Sequence, residues 1–88
     1  MKRTILQLLV ADIKHNQLLN GLYDIGFYDN DLYMLNIDFI VAEMMGVSPM
    51  TDVRQDLYHK TMLEVRSSIT EEERLQIAEE LYDRLVNI

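Results

Sequence analysis

The sequence contains no cysteine, only one proline and only three glycines. Without cysteine the chain forms no disulfides or thiolate metal sites, which disfavours a small secreted scaffold. Because proline and glycine mark turns, their scarcity indicates few structural elements with short connections. No apolar run approaches the roughly 20 residues that a membrane span needs. The 88 residues, nearly half of them apolar, therefore predict one domain, residues 1–88, with one modest core.

Basic residues are missing from a long part of the chain. Between His15 and Val53 there is no Lys or Arg, and six acidic residues lie among mostly apolar ones. The net charge of the whole chain is −7. A segment that is both apolar and negative buries one side and repels polyanions with the other. The sequence therefore predicts no direct contact with nucleic acid, which basic patches bind.

The first eleven residues briefly resemble a secretory signal, with Lys2 and Arg3 before an apolar run. Gln7 interrupts that run, Asp12 and Lys14 end it, and no small-residue cleavage site follows. We interpret this segment as the first turns of a helix and predict a cytoplasmic protein.

Apolar residues recur at three- and four-residue intervals along most of the chain, which is the period of a helix. The short β-like run from Ile37 to Val41 lies inside a longer helical pattern. Short connections favour consecutive helices that lie side by side and antiparallel. We predict an all-α small antiparallel four-helix bundle, with helices at about 4–24, 30–45, 49–66 and 71–87. The alternative is a three-helix core with helix 1 or helix 4 reaching out to a second subunit.

Three local signals mark the predicted helix ends. Thr70 and Glu73 form the pattern of a capping box before helix 4. Gly46 is placed to take the left-handed conformation after helix 2. Ser48 followed by Pro49 is typical of the start of helix 3.

Helices 3 and 4 each have one predicted inner side. On helix 4 the inner stripe is Leu75, Ala78, Leu81, Tyr82, Leu85 and Ile88, and the outer side holds Glu72, Glu79, Glu80, Asp83 and Asn87. On helix 3 the inner side is Met50, Val53, Leu57, Thr61, Met62 and Val65, and the outer side holds Asp52, Asp56, His59 and Leu63.

Helices 1 and 2 are apolar on two sides. Helix 1 has a seam with coiled-coil-like spacing, formed by Leu8, Ala11, His15, Leu18, Leu22 and Ile25. Its second patch is Ile5, Leu6, Leu9 and Ile13, which runs into Asn16 and Asn20. Helix 2 has one face of Tyr33, Ile37, Ile40, Val41 and Met44, and a second of Leu32, Leu35, Phe39 and Ala42. A bundle of this size has too little interior for every apolar side, so we expect surplus faces at an interface.

Tyrosines strengthen that expectation, because Tyr23, Tyr28 and Tyr33 cluster around the turn between helices 1 and 2. Tyrosine is enriched at interfaces, since its ring is apolar at one end and polar at the other. The predicted interface residues are Leu8, His15, Leu22, Tyr23, Tyr28, Leu32, Leu35 and Phe39.

Candidate chemistry is sparse. His59 follows Asp52 and Asp56 on one helix face, a spacing that would present a carboxylate–imidazole pair to a metal or substrate. The acidic residues from Asp24 to Asp31 suggest calcium, but the EF-hand pattern fails, and helix capping explains them more simply. His15 is a possible ligand or pH switch, although a hydrogen-bonded core or interface histidine is the commoner case. No catalytic signature accompanies these residues, so we predict no enzyme, no metal site and no cofactor.

The sequence thus predicts a non-enzymatic protein–protein interaction module, a small acidic helical bundle that self-associates as a homodimer. Its predicted partner is a protein, either a second copy or another protein, bound through helices 1 and 2 and the tyrosine-rich acidic turn. The alternative is an acidic inhibitor or immunity-type protein that occupies the basic groove of a nucleic-acid enzyme. Charge arrangement separates the two: one continuous negative ridge favours the inhibitor, and acids spread around the bundle disfavour it.

Overall fold

The computed structural model describes residues 2–24, 37–46 and 52–87, which form four α-helices and the ends of their connections. The helices are α1 (Lys2–Asp24), α2 (Ile37–Met45), α3 (Asp52–Leu63) and α4 (Glu71–Val86). These ranges contain no β-strand, so the predicted all-α class with four helices is confirmed. The antiparallel order of the whole bundle stays a prediction.

The predicted starts of helices 2 and 3, together with the Ser48–Pro49 cap, lie outside the described residues. The end of α3 is described, and it comes three residues earlier than the pattern predicts, at Leu63. There the amide of Glu64 is shared between the carbonyls of Lys60 and Thr61, at 3.2 and 3.3 Å. Beyond this point the carbonyl of Met62 accepts a hydrogen bond from the side chain of Asn20 on α1 and one from the amide of Val65.

Both described helix-end signals are confirmed. The hydroxyl of Thr70 accepts a hydrogen bond from the amide of Glu73 at 3.2 Å, and the Glu73 carboxylate accepts one from the amide of Thr70 at 3.3 Å. Gly46, after α2, has φ of 73°. A residue with a Cβ is strained in that left-handed conformation, so glycine suits this position.

Replacing Thr70 with alanine is expected to lower the free energy of unfolding by about 1 kcal/mol, because the amide of Glu73 in the first turn of α4 loses its partner. Urea denaturation measures the loss. Ser68→Ala is the matched control, since it removes a hydroxyl from the same connection outside the capping box. Equal stability of Thr70→Ala and the unmodified chain would contradict the role of the cap.

The core lies against one face of α1, which packs against all three other helices. That face carries Ile5, Leu9 and Ile13 at four-residue intervals, all buried. It is the second apolar patch of the sequence pattern rather than the coiled-coil-like seam. The other helices add these buried residues: Val41 and Ala42 from α2, Tyr58 and Met62 from α3, Val65 after it, and Ala78, Leu81 and Leu85 from α4.

The inner sides of α3 and α4 differ from the predicted stripes at particular positions. Val53 was expected inside but is 62% exposed, and Tyr58, not assigned to the inner side, is buried. Leu75 is likewise half-exposed, near the start of α4. The predicted outer residues Asp56, His59 and Leu63 are exposed. On α3 the packed side is therefore rotated toward Tyr58, which reaches a buried carboxyl group on α1.

Helices α1 and α4 run in opposite directions along each other. Nη1 of Arg74, in the first turn of α4, donates a hydrogen bond to Oε1 of Gln17 in the second half of α1 at 2.7 Å. At the other end, Nζ of Lys2 lies 5.0 Å from the ring centre of Tyr82. The start of each helix thus lies beside the far part of the other.

Candidate interaction surface

The outward face of α1 consists of Leu8, Ala11, His15, Leu18 and Leu22. At 100° per residue these positions lie on the side opposite Ile5, Leu9 and Ile13. Leu18 is 61% exposed, Ala11 is exposed, and the remaining three residues are half-buried. A 23-residue helix buried on one side therefore keeps an apolar strip on the other.

An open groove of about 700 Å³ runs beside this strip. Its apolar lining comes mainly from α1, and the start of α4 and the connection before it complete the wall. The lining residues are Ala11, Lys14, His15, Gln17, Leu18, Gly21, Leu22, Ser67 and Arg74. The groove thus gives the outward face a concave side into which an apolar side chain fits.

Two amides on α1 hold the wall in place. The side chain of Gln17 donates hydrogen bonds to the carbonyls of Ser67 and Ile69, at 2.8 and 3.0 Å. The side chain of Asn20 donates to the carbonyls of Met62 and Val65, at 3.1 and 2.7 Å. Met62 lies in the last turn of α3, and the other three carbonyls belong to the connection between α3 and α4. The connection is therefore fixed to α1 at three backbone positions, and the end of α3 at one.

Gly21 permits this close approach. A Cβ built on Gly21 would lie 3.3 Å from Cβ of Ser67, closer than most real contacts of this kind. Glycine inside a helix costs about 1 kcal/mol relative to alanine. Here its missing side chain leaves room for the connection to pack beside α1.

Two basic side chains, Lys14 and Arg74, line the groove together with His15, although the whole chain is acidic. Nε2 of His15 and Nε of Arg74 are buried, and neither atom has a hydrogen-bond partner among the described residues. Buried polar atoms are normally paired, and these two are exceptions.

Of the predicted interface residues, the structure brings Leu8, His15 and Leu22 together on the outward face of α1. Tyr28, Leu32 and Leu35 lie outside the described residues, and so do the side chains of Tyr23 and Phe39. Ala11 and Leu18, which the seam included but the interface set did not, are the most exposed members of this face.

The residues that the sequence offers for metal binding form no metal-binding group within the described ranges. His59 and Asp56 are both exposed on α3, and the acidic residues from Asp29 to Asp31 lie outside the described residues. Within residues 2–24, 37–46 and 52–87, no group of three or more His, Asp or Glu side chains is arranged to hold a metal ion. None of the helices within these ranges has the length and hydropathy of a membrane span.

A buried polar contact between α1 and α3 was missed in the sequence. The Tyr58 hydroxyl donates a hydrogen bond to Oδ2 of Asp12, whose side chain is 0% exposed. Nδ2 of Asn16 donates to Oδ1 and to the main-chain carbonyl of Asp12, at 3.1 and 2.8 Å. The only sign of this contact in the sequence is that, at 100° per residue, Asp12 and Asn16 fall on the same face of α1 as Ile5 and Leu9.

Comparison of the chain with protein-family models, curated proteins and solved structures found no match. The features that bear on function are therefore the outward face of α1 and the charges around it.

Proposed function

We propose that this chain is a non-enzymatic protein–protein interaction module of the cytoplasm that self-associates through the outward face of α1. The exposure of Leu18 beside an apolar groove is the observation that carries the proposal. The absence of cysteine supports the cytoplasm as compartment, since secreted domains of this size usually need disulfides. The non-enzymatic part rests on the sequence, which holds no catalytic signature.

Leu18 differs from other exposed leucines in its surroundings. Leu63 is 77% exposed, but it shares its side of α3 with Asp56 and His59. A single exposed leucine in a polar surface is common and needs no explanation. Leu18, in contrast, adjoins Ala11 and a groove, and full burial of a leucine side chain is worth about 1.5–3 kcal/mol. Because Leu18 is 61% exposed, a partner surface that covers it gains the corresponding share of that free energy.

The arrangement of acidic residues favours the interaction module over the acidic inhibitor. On α4 the exposed residues Glu72, Glu79 and Asp83 lie along one line. Exposed carboxylates also occur on α2 at Glu43 and on α3 at Asp56. Acids spread over three helices make a generally negative surface rather than one ridge shaped for a basic groove. The inhibitor stays a prediction from the sequence alone.

Replacing Leu18 with glutamate is expected to abolish self-association. Burial of a carboxylate in an apolar interface is costly, so the dissociation constant of the dimer should rise at least tenfold, a change of about 1.4 kcal/mol or more. Light scattering over a concentration series measures the mass. Leu18 is exposed in the single chain, so the variant should keep its helical circular dichroism.

Leu63→Glu provides the matched control, because it makes the same exchange at a leucine that is even more exposed and lies away from the groove. It should leave the mass unchanged. Two results would contradict the proposal: an unmodified chain that is monomeric at high micromolar concentration, or equal weakening by both variants.

A further inference from the structure

Asn20 and Gly21 are adjacent in the second half of α1, where local sequence preference disfavours a helix. An Asn–Gly pair is typical of a turn, and glycine costs about 1 kcal/mol relative to alanine inside a helix. Helix α1 ends soon afterwards, at Asp24. The helical form of this segment therefore depends on the contacts that Asn20 makes with another part of the chain.

Those contacts come from the amide group of the Asn20 side chain. Its Nδ2 atom donates hydrogen bonds to the carbonyls of Met62 and Val65, at 3.1 and 2.7 Å. Inside a helix the main-chain nitrogen of Gly21 donates to the carbonyl four residues earlier, which belongs to Gln17. The side-chain amide of Asn20 and the main-chain nitrogen of Gly21 thus each have other partners, and this arrangement keeps them from reacting with each other.

An asparagine that precedes glycine is chemically reactive when the backbone is free to move. The main-chain nitrogen of the glycine loses its proton to solvent and attacks the Cγ carbon of the asparagine, and a C–N bond closes a succinimide ring. The side-chain nitrogen takes up a proton and leaves as ammonia. Water then opens the ring at either carbonyl, which gives aspartate or isoaspartate. Glycine has no Cβ to hinder the attack, and Asn20 is the only asparagine of the sequence followed by glycine.

We propose that Asn20 is a site of spontaneous deamidation that reacts only when the connection between α3 and α4 separates from α1, and that the reaction prevents the connection from returning. An ionised carboxylate accepts hydrogen bonds but has no hydrogen to donate. At position 20 it faces the carbonyl oxygens of Met62 and Val65, which lose their donor and repel the new charge. Isoaspartate also adds an atom to the backbone, which breaks the helical hydrogen-bond pattern.

The consequence of this reaction reaches the groove beside the outward face of α1. Ser67, in the connection that Asn20 helps to hold, forms part of the groove wall. In the intact chain the connection opens and closes reversibly. After deamidation two of its contacts are lost, so the reaction converts a transient opening into a permanent change of this wall.

Peptide mass spectrometry of the full chain, after incubation at neutral pH, measures the fraction of each asparagine that has become an acid. In guanidinium chloride, Asn20 should convert faster than every other asparagine of the chain, and Gly21→Ala should slow this conversion because a methyl group hinders the attack. In native buffer the unmodified chain should convert at Asn20 at least about tenfold more slowly than in denaturant, because only the locally open fraction reacts.

Gln17→Ala tests the coupling to the connection, because it removes two hydrogen bonds to the connection and leaves Asn20 and Gly21 unchanged. In native buffer it should raise the rate of conversion at Asn20 at least about threefold, since the open fraction grows when these bonds are lost. Leu18→Ala is the matched control at the next position, makes no such bond and should leave the rate unchanged. Circular dichroism checks that both variants stay helical.

The product is tested separately with Asn20→Asp, which should unfold at a lower urea concentration than the unmodified chain. Four results would overturn the proposal: equal conversion of Asn20 in native buffer and in denaturant, conversion in denaturant no faster than at the other asparagines, equal native rates for Gln17→Ala and Leu18→Ala, or an Asn20→Asp variant as stable as the unmodified chain.

Discussion

Replacing Leu9 with alanine is expected to lower the free energy of unfolding by about 2–5 kcal/mol. Leu9 is 0% exposed and lies between Ile5 and Ile13 on the face that packs against the rest of the bundle. Truncation removes buried methyl groups and leaves a cavity that rigid neighbours fill only in part. A domain of this size has a total stability of roughly 5–10 kcal/mol, so the variant should lose a large share of it. Urea denaturation followed by circular dichroism measures the change.

Leu18→Ala is the control for that experiment, because it makes the same exchange on the opposite face of the same helix. At protein concentrations low enough for the chain to be monomeric, this variant should change stability by no more than about 0.5 kcal/mol. A Leu18→Ala loss equal to that of Leu9→Ala would mean that the outward face of α1 is buried in the single chain. The proposed interface would then have no exposed surface to use.

The second large effect is expected at Asp12. Asp12→Ala removes an acceptor that the buried Tyr58 hydroxyl and the Asn16 amide both use. Both donors are then left inside the protein with one fewer partner, and the fully buried site becomes partly empty. The expected loss is about 3 kcal/mol in the free energy of unfolding. Urea denaturation again measures it.

Tyr58→Phe separates the hydrogen bond from the packing of the ring. This variant should cost about 1–2 kcal/mol, because the ring stays and only the hydroxyl is removed. If the two groups act as a pair, the double variant should be more stable than the sum of the single losses predicts, by about 0.5–3 kcal/mol. Strict additivity would show that Asp12 and Tyr58 contribute independently.

Helix α4 was the most predictable element because its local and tertiary signals agree. Thr70 and Glu73 form the predicted capping box, and Ala78, Leu81 and Leu85 of the predicted stripe are buried. Its acidic residues Glu72 and Asp83 lie on the exposed side. When capping and period indicate the same boundaries and the same face, a single sequence is enough to place a helix.

Helix α1 shows where sequence reasoning stops. The sequence shows two apolar sides on this helix. Because both sides carry residues of the same types, composition does not determine which of them faces the core. The decision depends on Gln17 and Asn20, whose amides bind carbonyls 42 to 52 residues further along the chain. Contacts of such sequence separation leave no periodic signal. The sequence therefore predicts an interface on helices 1 and 2 and the turn between them, and that set leaves out Leu18, the most exposed leucine of the outward face of α1.

The pair of Asp12 and Tyr58 was unpredictable for a different reason. Charged residues are mostly exposed, so a lone Asp in a helix is ordinarily assigned to the surface. On α3 the apolar residues are distributed around the helix, and the pattern places Val53, not Tyr58, on the inner side. Only the approach of α3 to α1 places the Tyr58 hydroxyl beside the Asp12 carboxyl group and so orients both side chains inward.

The hydrogen bonds made by the side chains of Gln17 and Asn20 have a consequence for recognition. They hold the second half of α1 against the chain that follows α3, and the buried side chains of Leu9 and Ile13 hold the first half against the core. The helix therefore has little freedom to bend or rotate before a partner binds. A preorganised surface loses little conformational entropy on association. Substitutions at Leu18 should therefore change how long a complex lasts more than how quickly it forms.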